Sequence, residues 1–162
     1  MFSYRISILP RLVTGTSTGF GRLVTERLLK LGHTVVATLR TPSVLDGLVS
    51  AHPASRLLAL RCDVTKNSDI LSSFAEAKRA FGRVDVVFSN AGYGVGGEVE
   101  SCPEKDVRAL FDVNFWDAVN VNREAIRFFR EDNPPDAGKV LLVNSSVLGI
   151  EPGPITGYYN AS

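Results

Sequence analysis

Apolar residues along this chain follow two alternating spacings. Short apolar runs, several of them rich in β-branched residues, predict buried strands at residues 12–14, 34–39, 57–60, 84–88 and 140–143. Between these runs, apolar positions recur every three or four residues, which predicts helices at residues 20–31, 70–81 and 107–129. Gly32 is expected to close the first helix as a left-handed cap. Ser101 and Glu104 have the spacing of a capping box before the third helix, with Pro103 in its first turn.

Strands that alternate with helices in this way are typical of βαβ units. The sequence therefore predicts an α/β fold with a Rossmann-type doubly wound parallel sheet. In such sheets, ligands bind beyond the carboxyl ends of the strands, at the switch point. Because proline is poorly tolerated in a central strand and a buried arginine is costly, Pro10 and Arg11 favour a first strand that begins after Pro10. Residues 1–10 are expected to be an irregular or poorly ordered start, and residues 11–162 to form the domain.

Composition and charge narrow the class of function. The chain has 162 residues, of which 44% are hydrophobic and 22% charged, and its formal net charge is +1. This balance gives no electrostatic footprint for nucleic acid or an anionic membrane, and no apolar run approaches the length of a membrane span. Cys62 and Cys102 occur in unlike contexts without metal-binding spacing, so neither a metal site nor a disulfide is expected. A reducing, cytoplasmic location is the corresponding expectation.

Three glycines separate the first strand from the first helix. Gly15 allows a tight turn, Gly19 lets backbone amides approach a pyrophosphate, and Gly21 permits close packing of the helix on the sheet. The strand–turn–helix context makes this pattern a strong signal of dinucleotide binding. The turn residues expected to contact the cofactor are Gly15, Ser17, Thr18, Gly19, Phe20 and Gly21.

The end of the second strand indicates which dinucleotide is bound. A site for NAD needs a carboxylate there to accept a hydrogen bond from the ribose 2′-hydroxyl. This chain has Leu39 followed by Arg40 and no acid at either position. A guanidinium can pair with a 2′-phosphate, which a carboxylate would repel. The sequence therefore favours NADP(H), the alternative being that Arg40 is a solvated surface arginine.

A second motif, Asn90-Ala91-Gly92, follows the fourth strand. With this motif and the glycine turn, residues 12–162 resemble the short-chain dehydrogenase/reductase family in its standard-length form. Residues 14–21 match its TGxxxGxG motif. The resemblance implies that Asp63, with Val64 behind it, hydrogen-bonds the adenine. It also implies that the NAG motif stabilises the central sheet and lines the cofactor; its residues are Asn90, Ala91 and Gly92.

The resemblance extends to the third helix. Asn114 matches the helix asparagine of the family's catalytic tetrad, which holds a water that relays the proton. Arg123 matches a position sometimes assigned to cofactor contact, and an ordinary surface charge is an equally good interpretation of it.

The catalytic serine and tyrosine of the family lie thirteen residues apart, the serine just after the fifth strand. Ser146 and Tyr159 have this spacing, and so do Ser145 and Tyr158, so spacing alone does not choose between the pairs. Residues 159–162 resemble the family's Y-x-A-S-K, which assigns the roles to Tyr159 and Ser146 and places the family's lysine one position beyond Ser162.

By resemblance, the parent activity is the interconversion of a carbonyl and a secondary alcohol by hydride transfer with NADP(H). The small, apolar loop after Gly92 favours a hydrophobic small-molecule substrate. About five of the family's usual seven strands are expected in this chain, and the rest of the substrate-binding part, with much of the family's homo-oligomer interface, is expected to be absent. Because the lysine position is not included, the chain is expected to be a truncated form with little or no turnover. The alternative is a non-catalytic NADP(H)-binding sensor or regulatory module.

Overall fold

A computed structural model describes residues 9–162, and its centre is a sheet of five parallel strands. The strand order is β3-β2-β1-β4-β5, so the chain reverses its winding direction between β1 and β4. This arrangement confirms the predicted doubly wound sheet and its five strands. The strands are β1 (Pro10–Thr14), β2 (Thr34–Leu39), β3 (Leu57–Arg61), β4 (Val86–Ser89) and β5 (Val140–Val143).

Helices cover both faces of the sheet. Every residue of β2 is buried, because its side chains pack on both sides. Leu12 belongs to a core cluster with Phe74 and Phe128, whereas Val13 belongs to the opposite cluster with Leu29. The helices are α1 (Gly19–Lys30), α2 (Asp46–Ala51), α3 (Asn67–Phe81), α4 (Glu104–Phe111), α5 (Ala118–Glu131) and α6 (Gly157–Ala161).

Three local expectations differ from the structure. Pro10 is the first residue of β1 and not part of an irregular start; residues 1–8 lie outside the described part of the chain. The capping box is wrong, since α4 begins at Glu104 and the Ser101 hydroxyl instead donates to the Glu98 carbonyl at 3.1 Å. A 3-10 turn (Pro42–Leu45) and the short helix α2 also occupy a stretch for which the apolar spacing predicted no element.

The predicted helix over residues 107–129 is interrupted. A π-helical segment, Asp112–Asp117, joins α4 to α5, and π-helical turns are often associated with functional sites. Its last residue, Asp117, is only 5% exposed, and Oδ2 of Asp117 has no hydrogen-bond partner within residues 9–162. Burial raises the pKa of Asp117 to about 6, and the charges of Asp112 and Asp63 add to this effect.

The fifth strand lies at the edge of the sheet. Within the described residues, β5 pairs with β4 and with no strand on its other side. Val140, Leu142 and Val143 are about half exposed. An apolar strand with an unpaired edge can pair with a further strand, and among the described residues β5 presents such an edge.

Candidate functional site

Two adjoining cavities lie beyond the carboxyl ends of the strands, where the fold is expected to bind a ligand. The larger has a volume of about 800 Å³ and the smaller about 290 Å³. Nearly all the residues predicted to bind the cofactor line the larger cavity: Gly15, Ser17, Thr18, Gly19, Phe20, Arg40, Asp63, Val64, Asn90, Ala91 and Gly92.

The glycine turn has the conformation that its sequence predicts. Gly15 and Gly19 have φ angles of +69° and +57°, values that L side chains rarely adopt. Gly21 has an ordinary φ, but a Cβ atom there would lie 2.3 Å from the Gly15 carbonyl oxygen and 2.6 Å from Nδ2 of Asn90. Gly21 therefore does not line the cavity; it lets α1 approach the turn closely enough to aim its N-terminus at the cavity.

Asn90 braces the glycine turn from the neighbouring strand. Its Nδ2 donates to the Thr14 carbonyl at 2.9 Å, and the Thr14 hydroxyl oxygen accepts from the backbone N–H of Asn90 at 2.9 Å and of Ala91 at 3.0 Å. These bonds join the ends of β1 and β4 at the switch point. The structure thus gives a physical basis for the predicted role of the NAG motif in stabilising the central sheet.

Arg40 and Asp63 lie at the end of the larger cavity formed by β2 and β3. Arg40 is exposed and follows β2 directly. The Thr65 hydroxyl donates to Oδ1 of Asp63 at 2.8 Å, and the Thr65 backbone N–H donates to the same oxygen at 3.2 Å. These hydrogen bonds lower the pKa of Asp63, and the positive charges of Lys66 and Arg40 lower it further. The Asp63 carboxylate is therefore ionised and oriented, with its second oxygen available to a donor.

The smaller cavity contains the predicted catalytic residues. Ser146, Tyr159 and Asn114 line it together with Ser145 and Asn160. Ser146 immediately precedes a 3-10 turn (Val147–Gly149), and Oγ of Ser146 accepts from the Leu148 N–H at 3.2 Å, so its hydroxyl proton is available to a ligand. The Tyr159 ring contacts Gly94, where a Cβ would lie 3.8 Å from it.

The structure distinguishes the two tyrosines that spacing left equivalent. The Tyr158 hydroxyl donates to the Val99 carbonyl at 3.2 Å and does not line the smaller cavity. The Tyr159 hydroxyl makes no hydrogen bond within residues 9–162. Tyr158 thus tethers α6 to the loop after β4, and Tyr159 is the tyrosine available to a ligand.

The side chain of Asn114 is already engaged by the protein. Its Oδ1 accepts from the Tyr93 N–H at 3.0 Å, and its Nδ2 donates to the Tyr93 carbonyl at 2.9 Å and to Oγ of Ser162 at 3.0 Å. This side chain fixes the loop after β4 to the π-helical segment and to the end of α6. It acts on the cavity by holding its walls in position.

A comparison with known proteins agrees with this geometry. The family model for short chain dehydrogenases matches residues 11–162. The chain belongs to this family. An uncharacterized oxidoreductase of Schizosaccharomyces pombe is 39% identical over 93% of this chain and 49% of its own length. The chain spans about half the length of the curated relatives it matches.

Solved structures of short-chain dehydrogenases superpose closely on this chain. One from Streptomyces avermitilis gives a TM-score of 0.86 at 34% identity, covering 96% of this chain and 55% of that one. A 3-ketoacyl-(acyl-carrier-protein) reductase of Brucella melitensis, complexed with NADH, gives a TM-score of 0.86 at 27% identity, covering 94% and 63%.

One residue suggested by the family resemblance is not near the cavities. Arg123 is exposed on α5 and lines neither of them, so cofactor contact by this residue stays a prediction. No helix formed by residues 9–162 combines the length and apolar character needed to span a bilayer. Sequence reasoning missed several residues that line the larger cavity, among them Thr65, Tyr93 and Asn144. Each of these three directly follows a residue of a recognised motif or strand, which is the signal that could have identified them.

Proposed function

We propose that this chain is the cofactor-binding part of an NADP(H)-dependent oxidoreductase that interconverts a carbonyl compound and a secondary alcohol. The observation that carries the proposal is the pair of adjoining cavities, with a free arginine at the end of one and an available serine and tyrosine in the other. Family membership supports the reaction class, and the cavities supply a place for each reactant.

The larger cavity fits a dinucleotide. The positive φ angles of Gly15 and Gly19 and the absence of a side chain at Gly21 keep the turn between β1 and α1 open to a bulky anion. The α1 helix begins at Gly19, so its unpaired N–H groups and positive dipole end are directed towards the turn. A pyrophosphate is the group that such a turn binds.

Arg40 supports NADP(H) over NAD(H). The residue directly after β2 carries a guanidinium, and no carboxylate takes its place to bind a ribose 2′-hydroxyl. A 2′-phosphate would pair with Arg40 across the opening of the cavity, in a bond assisted by charge.

The smaller cavity supports proton transfer to or from a substrate oxygen. The bound nicotinamide would supply or accept the hydride. Tyr159 would donate its phenolic proton to a carbonyl oxygen, or take it from a hydroxyl, and Ser146 would donate a hydrogen bond to the same oxygen. Asn114 keeps the loop that carries Tyr93 against the cavity while this occurs.

Several further properties belong to the same proposal. Tyr93 lines both cavities, and the loop residues that follow it, Gly94 to Gly97, are small or apolar, which suits a hydrophobic substrate. A cytoplasmic location and homo-oligomerisation of the whole protein are consistent with the family, as is the absence of nucleic-acid or membrane partners.

The chain of 162 residues does not include the position of the family's lysine, so we expect it to bind cofactor with little or no turnover. An ammonium about 4 Å from a tyrosine favours the phenolate by about 4 kcal/mol at an effective dielectric of ~20. A non-catalytic NADP(H)-binding module is the second candidate. The retained pair Ser146 and Tyr159 favours the enzyme, since a sensor does not need it.

Cofactor preference is tested by titrating the chain with NADPH and NADH. We expect tighter binding of NADPH, and we expect Arg40→Ala to weaken NADPH binding by roughly 10- to 100-fold, the value of one hydrogen bond to a charged group, while leaving NADH binding unchanged. Arg130→Ala is the control, because Arg130 is exposed on α5 and lines neither cavity. Equal affinity of the unmodified chain for both cofactors would contradict the NADP(H) assignment.

The enzymatic proposal needs a separate measurement. The chain is extended by a lysine and the following region of a short-chain dehydrogenase relative, and NADPH oxidation is followed with hydrophobic ketones. Turnover that is lost in Tyr159→Phe and retained in Tyr158→Phe supports the oxidoreductase. Cofactor binding without turnover in the extended protein supports the sensor.

A further inference from the structure

The two cavities share a boundary, and one of the residues there has no assigned role. Five residues line both cavities, four of which come from the turn after β4. Asn144 is the exception among residues 9–162, because it follows β5 and so borders the cavities from the neighbouring strand. The residues that line both are Asn90, Ala91, Gly92, Tyr93 and Asn144.

Asn144 is held firmly at this boundary. Its backbone N–H donates to the Ser89 carbonyl at 2.8 Å, which extends the ladder between β4 and β5 by one bond. Its side-chain Nδ2 donates to Oδ1 of Asn90 at 3.2 Å. Nδ2 of Asn90 in turn donates to the Thr14 carbonyl. These two hydrogen bonds fix which end of each side-chain amide is the nitrogen and which is the oxygen.

The other end of the Asn144 amide is free. Its Oδ1 accepts no hydrogen bond from any group in residues 9–162, and the residue is exposed. Among the other shared residues, the Asn90 amide is bonded at both ends and Ala91 and Gly92 have no polar side chain, so only Tyr93 and Asn144 offer a polar side-chain group to a ligand. Asn144 therefore presents an oriented hydrogen-bond acceptor where the larger cavity opens into the smaller.

A dinucleotide in the larger cavity must cross this boundary if its nicotinamide is to meet a substrate next to Tyr159. This path of the cofactor across the boundary rests on the proposed function. We propose that Asn144 binds the nicotinamide riboside half of the cofactor, its Oδ1 accepting from a hydroxyl or amide N–H of that half. The adenosine half, at the Arg40 end, does not contact it.

The test compares two ligands. NADPH contains both halves of the dinucleotide, whereas adenosine 2′,5′-bisphosphate contains the adenosine portion with its 2′- and 5′-phosphates and lacks the nicotinamide riboside with the phosphate attached to it. Affinities of both are measured by calorimetry for the unmodified chain, for Asn144→Ala, and for Arg130→Ala as the control. Arg130 is exposed on α5 and lines neither cavity.

We expect Asn144→Ala to weaken NADPH binding by roughly three- to tenfold, the range for one neutral hydrogen bond, and to leave the affinity for adenosine 2′,5′-bisphosphate within about twofold. Arg130→Ala is expected to change the affinity for neither ligand. Retained bisphosphate binding also demonstrates that the variant is folded.

Two outcomes overturn the inference. An equal loss for both ligands means that Asn144 acts on the glycine turn through Asn90 and does not bind the nicotinamide half. No loss for either ligand means that it does not bind the cofactor. If the unmodified chain binds neither ligand, the proposed function itself is refuted. This outcome differs from the two that concern Asn144 alone.

Discussion

Asp117 is expected to destabilise the domain at neutral pH, and replacing it with asparagine tests this. Its carboxyl group is 5% exposed and, within residues 9–162, Oδ2 has no donor to satisfy it. Asp112 and Asp63 are the nearby charges, and both repel it. Asparagine has nearly the same shape and no charge, so Asp117→Asn removes the repulsion and the cost of burying an ion.

The magnitude follows from the pKa. A rise from 3.8 to about 6 means that the folded state binds the proton more tightly than the unfolded state does. The neutral form is therefore present in both states well below pH ~3.8. The penalty grows as the pH rises from the unfolded pKa of 3.8 to the folded pKa of about 6, and it is constant above that. Each pKa unit corresponds to about 1.4 kcal/mol, which gives an upper limit of about 3 kcal/mol. The buried amide of asparagine has its own unsatisfied groups, so we expect a gain of about 1–2 kcal/mol.

The assay is urea unfolding followed by circular dichroism at pH 4.5, 6 and 7.5. The stability difference between Asp117→Asn and the unmodified chain should increase from pH 4.5 to pH 6 and be largest at pH 7.5. Asp136→Asn is the control, since the Asp136 side chain is 81% exposed and its replacement should have little effect at any pH. A variant less stable than the unmodified chain at pH 7.5 would show that the carboxylate has a favourable partner and would refute the reasoning.

Two further substitutions test the packing of the site. Gly21→Ala places a Cβ 2.3 Å from the Gly15 carbonyl oxygen, so it should destabilise the chain by about 1–3 kcal/mol and abolish NADPH binding. Gly47→Ala is the control, because Gly47 has open space around it in α2 and its replacement should be neutral or stabilising. Equal effects of the two substitutions in thermal unfolding would contradict the close packing at Gly21. Tyr158→Phe removes the hydrogen bond to the Val99 carbonyl and should lower the free energy of unfolding by about 0.5–1.5 kcal/mol, whereas Tyr159→Phe should leave it unchanged. If urea unfolding shows the larger loss for Tyr159→Phe, then Tyr159 and not Tyr158 is the structural tyrosine.

Much of the fold was predictable because strands and helices differ in the spacing of their apolar residues. The doubly wound sheet and the placement of the glycine turn followed directly from this spacing. The π-helical segment did not, since Asp112–Asp117 keeps an approximately helical spacing and only packing against the sheet reveals the extra residue per turn. Ser101 matched a capping box by position, but its hydroxyl bonds to Glu98 within the preceding turn.

The candidate site was predicted as a set of motifs, and the structure adds how they are connected. Spacing could not separate Tyr158 from Tyr159, because each lies thirteen residues after a serine, and the resemblance of residues 159–162 to Y-x-A-S-K favoured Tyr159. The structure adds that the Tyr158 hydroxyl donates to the Val99 carbonyl, 59 residues away. Asn144 was overlooked because its position directly after β5 is a weak signal by itself. Its position against Asn90 depends on β4 and β5 being neighbours.

The bonds from Asn90 to the glycine turn also bear on the order in which the domain matures during synthesis. The turn leaves the ribosome early, but the residue that braces it lies 76 positions later in the chain, and Asn144 follows 54 positions after that. Contacts between such distant residues form late, because the intervening chain must first be ordered. A nascent chain that has not yet exposed β4 therefore has an unbraced glycine turn, and competence to bind NADPH should arise abruptly once Asn90 can reach Thr14.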